Sequence, residues 1–319
     1  MYRNLILCLA LLPTLVLAKP VTPPELAQQI LQAIQNGQAA RFTPATVATN
    51  LIILRNALPA YPRDPAIPFA LANCYLVQSN TPAGLQALAQ AYALAPNDLF
   101  YGLTYIVALK NNKQLLQADS TAKQLGAAHP DAPQLQIMIA TLDQTIQKYD
   151  EAVNILRPLM TKMSPDSSPQ DKGALLFLLG NCYLHQGKTA EAVKALEGAD
   201  VLYPHAATIL CGLAEATLKN GEVAKARDCL DQALAINPRI PAALFYKGIL
   251  LERAGAPDKA RQYFQACYTV GNQSLPDNGE DYFRMSQVCA KLNKLNESRW
   301  YQAEAAKLLY NADAPWAVK

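Results

Sequence analysis

The sequence predicts an all-α fold of stacked antiparallel helix pairs, and three observations carry that prediction. No run of alternating β-branched residues occurs in the 319 residues, and Ala, Leu and Gln, all good helix formers, dominate. Prolines recur at a fixed interval: Pro62, Pro96 and Pro130, then Pro204 and Pro238, stand 34 residues apart within each group. A phrase recurs as well, Asn73-Cys74-Tyr75-Leu76 returning as Asn181-Cys182-Tyr183-Leu184. In the second copy His185 follows three residues after Cys182, which places a thiol and an imidazole on one helix face. The first copy has Val77 there. The cysteine repeats and the histidine does not, so the phrase reads as packing, with Cys182 against a neighbouring helix and His185 exposed near the helix end.

The chain opens with Met1-Tyr2-Arg3-Asn4, an apolar stretch of 14 residues from Leu5 to Ala18 that contains Pro13, and then Lys19-Pro20. This reads as a signal peptide over 1–18, cut after Ala18, with small residues at Val16 and Ala18. The stretch is shorter than the ~20 residues that cross a bilayer, so no membrane span is expected in the mature form. Cys8 is not read as a lipidation site, because Leu7 stands where a small residue is needed. Loss of 1–18 removes only Arg3 among charged residues and leaves a balance of 27 basic to 25 acidic. That is no electrostatic footprint for nucleic acid or anionic lipid. The expected location is periplasmic or secreted. Residues 19–64 follow as an irregular helical cap of two stretches, joined from Gln38 to Thr43 by a connection too long for a standard turn.

The periodic region is expected in units of about 65–98, 99–132, 133–160, 173–206, 207–240, 241–274 and 279–312, with a tail at 313–319 that holds Trp316. In the unit 173–206, Leu176, Leu179, Gly180 and Tyr183 recur in the first half, and Ala192, Leu196, Ala199 and Pro204 in the second. The next two repeat the pattern with Leu210, Ala214, Ala226 and Pro238, then Leu244, Gly248, Ala260 and Phe264. This pattern resembles the tetratricopeptide repeat, over about residues 65–310 and most specifically over 173–270. The resemblance implies a right-handed superhelical solenoid with a concave groove. Small residues at 180, 192 and 199 then allow close helix approach, and Gly187, Gly221 and Gly255 take left-handed backbone at the turns. The stretch 161–172, rich in Ser, Pro and Asp, reads as an inserted loop, as does 271–280.

Signals for catalysis are weak. The three histidines, His129, His185 and His205, fall in three different units, and no metal-binding, phosphate-binding or nucleophile-elbow motif occurs. No catalytic residue, metal or cofactor is expected. Six cysteines remain after the signal: Cys74, Cys182, Cys211, Cys229, Cys267 and Cys289. Cys74 and Cys182 are too many units apart to pair. Cys211 and Cys229 fall opposite each other if Ala214 faces Ala226, so they are the candidate disulfide, against the alternative of two small buried thiols.

In the resembled family the groove is lined by the first helix of each unit. The register places there Phe69, Asn73 and Leu76, Phe100 and Leu103, Phe177, Asn181 and Leu184, Glu215, Phe245, Ile249 and Glu252, and Phe283. Aromatic rings take apolar side chains and carboxamides bind peptide backbone, so these residues point to capture of a peptide or helix, unless the rings only complete the core. A clamp for a C-terminal carboxylate is disfavoured, since Phe177 replaces the expected lysine and Ala242 and Tyr246 occupy the later basic positions. The expected function is a protein-protein interaction scaffold of the bacterial cell envelope, its partner a protein of an envelope assembly or secretion system. A glycan or small-ligand sensing module, or a non-catalytic subunit of an envelope enzyme, is the alternative.

Overall fold

The structure is a computed structural model that describes residues 10–11, 21–35, 40–41, 44–163, 168–273 and 278–310. The expected cut after Ala18 and the tail at 313–319 lie outside the described residues. The chain forms two compact units, Met1–Leu135 and Gln136–Lys319.

In the first unit, β1 (Ala10–Leu11) precedes α1 (Pro23–Gln35), and β2 (Ala40–Arg41), which pairs in parallel with β1, precedes α2 (Pro44–Ala57). Proline opens both helices, where its missing N–H costs nothing. Ala27 and Ile30 of α1, with Val47, Leu51 and Leu54 of α2, are buried at helical spacing. Both helices pack on α3 (Ala66–Val77), which pairs with α4 (Thr81–Leu94). Next come α5 (Leu99–Asn111) and α6 (Leu115–Ala128), again a pair. Asp98 starts α5 by accepting from Phe100 N at 2.8 Å, which satisfies an otherwise orphaned backbone donor.

The boundary between the units falls inside α7 (Pro133–Thr145). In the second unit α7 is followed by α8 (Tyr149–Lys162), α9 (Pro169–His185), α10 (Thr189–Leu202), α11 (Ala207–Lys219) and α12 (Val223–Ile236). The last four are α13 (Pro241–Arg253), α14 (Pro257–Gln273), α15 (Gly279–Lys291) and α16 (Leu295–Lys307). Each odd-numbered helix from α9 pairs with the even one after it, and successive first helices, α9 with α11, α11 with α13 and α13 with α15, also touch. Both inserted stretches end in a capping side chain. Ser168 Oγ accepts from Asp171 N at 3.0 Å to start α9, and Asn278 Oδ1 accepts from Asp281 N at 2.8 Å to start α15.

Within pairs the helices approach until only hydrogen fits between backbone and side chain. A methyl group on Gly180 would lie 2.6 Å from Leu196 Cγ, and one on Gly248 would lie 2.6 Å from Phe264 Cε1. Gly102 meets Leu125 in the same way in the first unit. The six cysteines among the described residues are buried and free, Cys211 and Cys229 among them, so the expected disulfide is not formed. The two thiols face different neighbours: Cys211 sits by the Ala243 amide at the start of α13, whereas Cys229 lies near Lys225 of its own helix and Asp200 and Glu197 of α10. Burial pushes the Cys211 thiol up to about 12 and raises that of Cys229, so both stay protonated and inert. Cys182 lies against α7, where Gln144 Nε2 donates to its Sγ at 2.9 Å.

The turn inside each pair needs one residue with positive φ. Gly187, Gly221 and Gly255 supply it at 74°, 87° and 75°, whereas Ser79, Lys113, Gln147 and Asn293 hold the equivalent place at 59–63°. A side chain there costs about 1–2 kcal/mol, partly offset by the backbone entropy that glycine loses on folding. Gly187→Ala is therefore expected to destabilise the protein by about 1 kcal/mol, and Lys113→Gly to stabilise it by up to about 1 kcal/mol, in denaturant melts followed by circular dichroism. Mass mapping after alkylation under native and then denaturing conditions is expected to find Cys211 and Cys229 both as unpaired thiols.

Candidate functional site

The helical period brings one residue in three or four of each first helix to a common face. In the second unit that face encloses a cavity of about 470 Å³, within the ordinary range for ligand sites. Helix α7 contributes Thr141, Gln144 and Thr145, α9 contributes Phe177, Asn181, Leu184 and His185, and α11 contributes Thr208, Cys211, Gly212 and Glu215. The start of α13 adds Ala242 and Tyr246. The capped start of α15 adds Asn278, Gly279, Glu280, Asp281 and Arg284, with Tyr149 and Tyr310 completing the wall. Gly279 is forced by packing, since a methyl there would fall 2.5 Å from Tyr310 Cβ.

Of the groove residues expected from the sequence, Phe177, Asn181, Leu184 and Glu215 line this cavity. Others are placed differently. Phe245 is only 1% exposed, packed on Phe264 and Tyr246, and it reaches no more than a small recess beside the cavity that Phe283 also lines. Ile249 is half-buried, while Glu252 is exposed and pairs with Lys291 of α15 at 2.6 Å. In the first unit Phe69 is fully buried against Phe100 and Tyr101, and Asn73 is buried with its Nδ2 donating to Phe69 O at 2.8 Å. Those two complete the core, and Leu76, Phe100 and Leu103 are half-buried. The cavity-facing residue of α13 and of α15 is thus the one after the expected phenylalanine: Tyr246 after Phe245, and Arg284 after Phe283.

His185 corrects the expectation of an exposed histidine. It is 8% exposed, its ring stacks on Tyr149 with centroids 4.7 Å apart and planes 7° apart, and its Nε2 lies 3.4 Å from Glu280 Oε2. The His185 of the recurring phrase therefore belongs to the site. Arg284, also 8% exposed, donates to Glu280 Oε1 at 2.8 Å and to Asp281, and lies 5.7 Å from the Tyr246 ring centroid. Burial alone would raise the Glu280 carboxyl, but His185, Arg284 and Lys219 together hold it well below the ordinary carboxylate range. Burial, then the negative charge of Glu215, drives the Tyr246 phenol far above its usual range, so it stays protonated. Glu215 is buried with Lys219 Nζ 2.9 Å from its Oε1. Among the described residues no group of three or more His, Cys, Asp or Glu is placed to hold a metal ion, and no helix is long and apolar enough to cross a membrane.

The sequence carried one signal for the missed residues. Asn278 three residues before Asp281 is a helix-start pattern, which places Glu280 and Asp281 in a first turn beneath Arg284. Nothing local announces that His185, 95 residues earlier in the chain, meets Glu280.

Residues 137–207 and 211–274 match the family model of the tetratricopeptide repeat. A solved tetratricopeptide repeat protein from Parabacteroides merdae superposes with a TM-score of 0.62 at 12% identity, covering 87% of this chain and 99% of that one. The APC/C hetero-tetramer Cut9-Hcn1 gives a TM-score of 0.52 at 12% identity, covering 88% of this chain and 52% of that one. At such identities the likeness concerns the fold. No curated protein matches the sequence.

The depressed Glu280 carboxyl sets an acid dependence. A group whose folded pKa lies below its unfolded value of about 4.5 contributes stability that is present above that pH and lost as the pH falls toward the folded value. The native chain is expected to be more stable than Glu280→Gln at pH 7, and the gap between their melting temperatures should narrow steadily as the pH falls below about 4.5. A gap that stays constant from pH 7 to about 3 is the contrary result.

Proposed function

Since residues 137–207 and 211–274 match the tetratricopeptide repeat, we propose that the protein is a protein-protein interaction scaffold that holds a segment of its partner, as a peptide or a helix, in the cavity of its second unit. The observation that carries the reading is the convergence of Phe177 and Asn181 of α9 with the polar and aromatic residues of α11, α13 and α15 on that one cavity. A half-buried ring supplies an apolar anchor, and a carboxamide satisfies both donor and acceptor of a backbone amide. The groups that line the site bind and orient; no bond-making step is assigned to them. The apolar stretch before Ala18 supports export, and the proposed setting is the periplasm or exterior of a bacterium, with a protein of an envelope assembly or secretion system as partner.

The test removes the anchor and the carboxamide together. Phe177→Ala with Asn181→Ala is expected to leave helicity by circular dichroism unchanged and to weaken capture of the partner from an envelope extract by tenfold or more. Phe245 is excluded from this test, because truncating so buried a ring would cost about 3–5 kcal/mol of stability. Undiminished capture by the double variant would move the binding surface away from the cavity.

A further inference from the structure

Two polar atoms of the cavity wall, His185 Nδ1 and Tyr246 Oη, are buried and make no hydrogen bond, and between them the buried Glu215 Oε1 meets the Lys219 ammonium of its own helix at 2.9 Å. The three residues come from three successive first helices, α9, α11 and α13. Native proteins leave few buried polar atoms unpaired, and each one calls for an explanation. Two on one cavity, either side of a carboxylate, point to a group that binds there.

The chemistry of the three selects what that group is. Glu215 is a carboxylate, an acceptor only. His185 Nε2 faces the Glu280 carboxylate, which in the neutral ring places the proton on that side and leaves Nδ1 as an acceptor. Tyr246 lies beside Glu215 and accepts or donates as required. The one guanidinium in the wall, Arg284, is directed at Glu280 and Asp281, so it does not offset the acceptors. Glu215 already shows that it takes an ammonium, because Lys219 Nζ stands 2.9 Å away; that lysine is a quarter exposed and is not part of the wall. Phe177, Tyr149, Tyr246 and Tyr310 supply flat surfaces for an aliphatic stem and a cation above a ring.

We infer that the cavity is a specificity pocket for a basic side chain, Arg or Lys, of the bound partner segment, with Glu215 as its counter-charge and His185 and Tyr246 as further hydrogen-bond partners. This rests on the proposed docking of a partner in the same cavity. Lys219 occupies Glu215 in the free protein and is displaced by the incoming cation.

The experiment titrates the full chain with N-acetyl-arginine amide and N-acetyl-lysine amide, and separately with the neutral citrulline and norleucine amides and with the glutamate amide. The histidine ring signals are followed by nuclear magnetic resonance. The basic amides are expected to saturate with dissociation constants of about 1–10 mM and to shift the His185 ring, while the neutral and acidic ones do not saturate. Binding should weaken by at least about tenfold in Glu215→Gln and fall with added salt. Lys219→Met, which removes the competing ammonium, should tighten it several-fold, a gain that a damaged fold would not produce. Equal binding of arginine and citrulline amides, binding that survives Glu215→Gln, or no saturable binding of either basic amide would each overturn the inference. If Phe177→Ala with Asn181→Ala still abolishes partner capture in any of those cases, the docking site stands and only its basic specificity falls. If the basic amides bind as expected but that double variant captures the partner normally, the docking reading falls, and with it the assignment of the pocket to a partner's side chain.

Discussion

The close approach of the two helices within each pair is the constraint on which the rest depends. Gly180 against Leu196, Gly248 against Phe264 and Gly102 against Leu125 leave no room for a methyl group, so a large apolar side chain of the second helix lies directly on the backbone of the first. That contact fixes the rotation of the first helix about its own axis. Once the rotation is set, the opposite face of each first helix is set too, and in the second unit those faces make the cavity wall. The binding surface is thus a consequence of core packing, and the left-handed turn residues that follow each first helix keep the second helix at the required distance.

Onto this apolar scheme the second unit adds a buried charged cluster. Arg284 is buried while Glu280 and Asp281 stay partly exposed, and taking a guanidinium out of water is tolerated only when its charge is paired. Arg284 meets Glu280 and Asp281 within α15, and Glu280 also meets His185 of α9, so the two helices are joined across the cavity. Tyr149 below the imidazole and Tyr246 beside the guanidinium fill the remaining space with rings. A wall whose charged groups are already paired lowers the ordering cost that a partner segment has to offset on binding.

The repeat was legible because its signals are local. A proline after the second helix, a glycine at the turn and a small residue in the contact each act within a few residues, so Gly180, Gly187 and Pro204 could be read without knowing what lies across the core. The face of each first helix was legible only in part. Phe177, Asn181 and Glu215 line the cavity, but in α13 and α15 the face is turned by one residue, and one residue is about 100° on a helix. That difference separates Phe245 in the core from Tyr246 on the cavity, and no periodicity within a single helix distinguishes two adjacent aromatics. The contact of His185 with Glu280 joins residues from different pairs, and the interaction that buries the histidine exists only after the helices have stacked.

The features that individualise the second unit are its departures from the repeat. The turn residues Gly187, Gly221 and Gly255 keep the 34-residue step, but the next, Asn293, comes 38 residues after Gly255. The extra length lies in the stretch that ends at Asn278, and its effect is to restart the helix with a capping side chain and an acidic first turn. Carboxylates favour a helix N-terminus, where the orphaned amides carry partial positive charge, so Glu280 and Asp281 are stabilised at the point where the cavity needs its charged rim. A regular unit, with proline in the corresponding position as Pro241 is in α13, places Ala242 and no charge there. The stacked pairs provide a face, and the irregular entry into α15 brings Glu280 and Asp281 onto it.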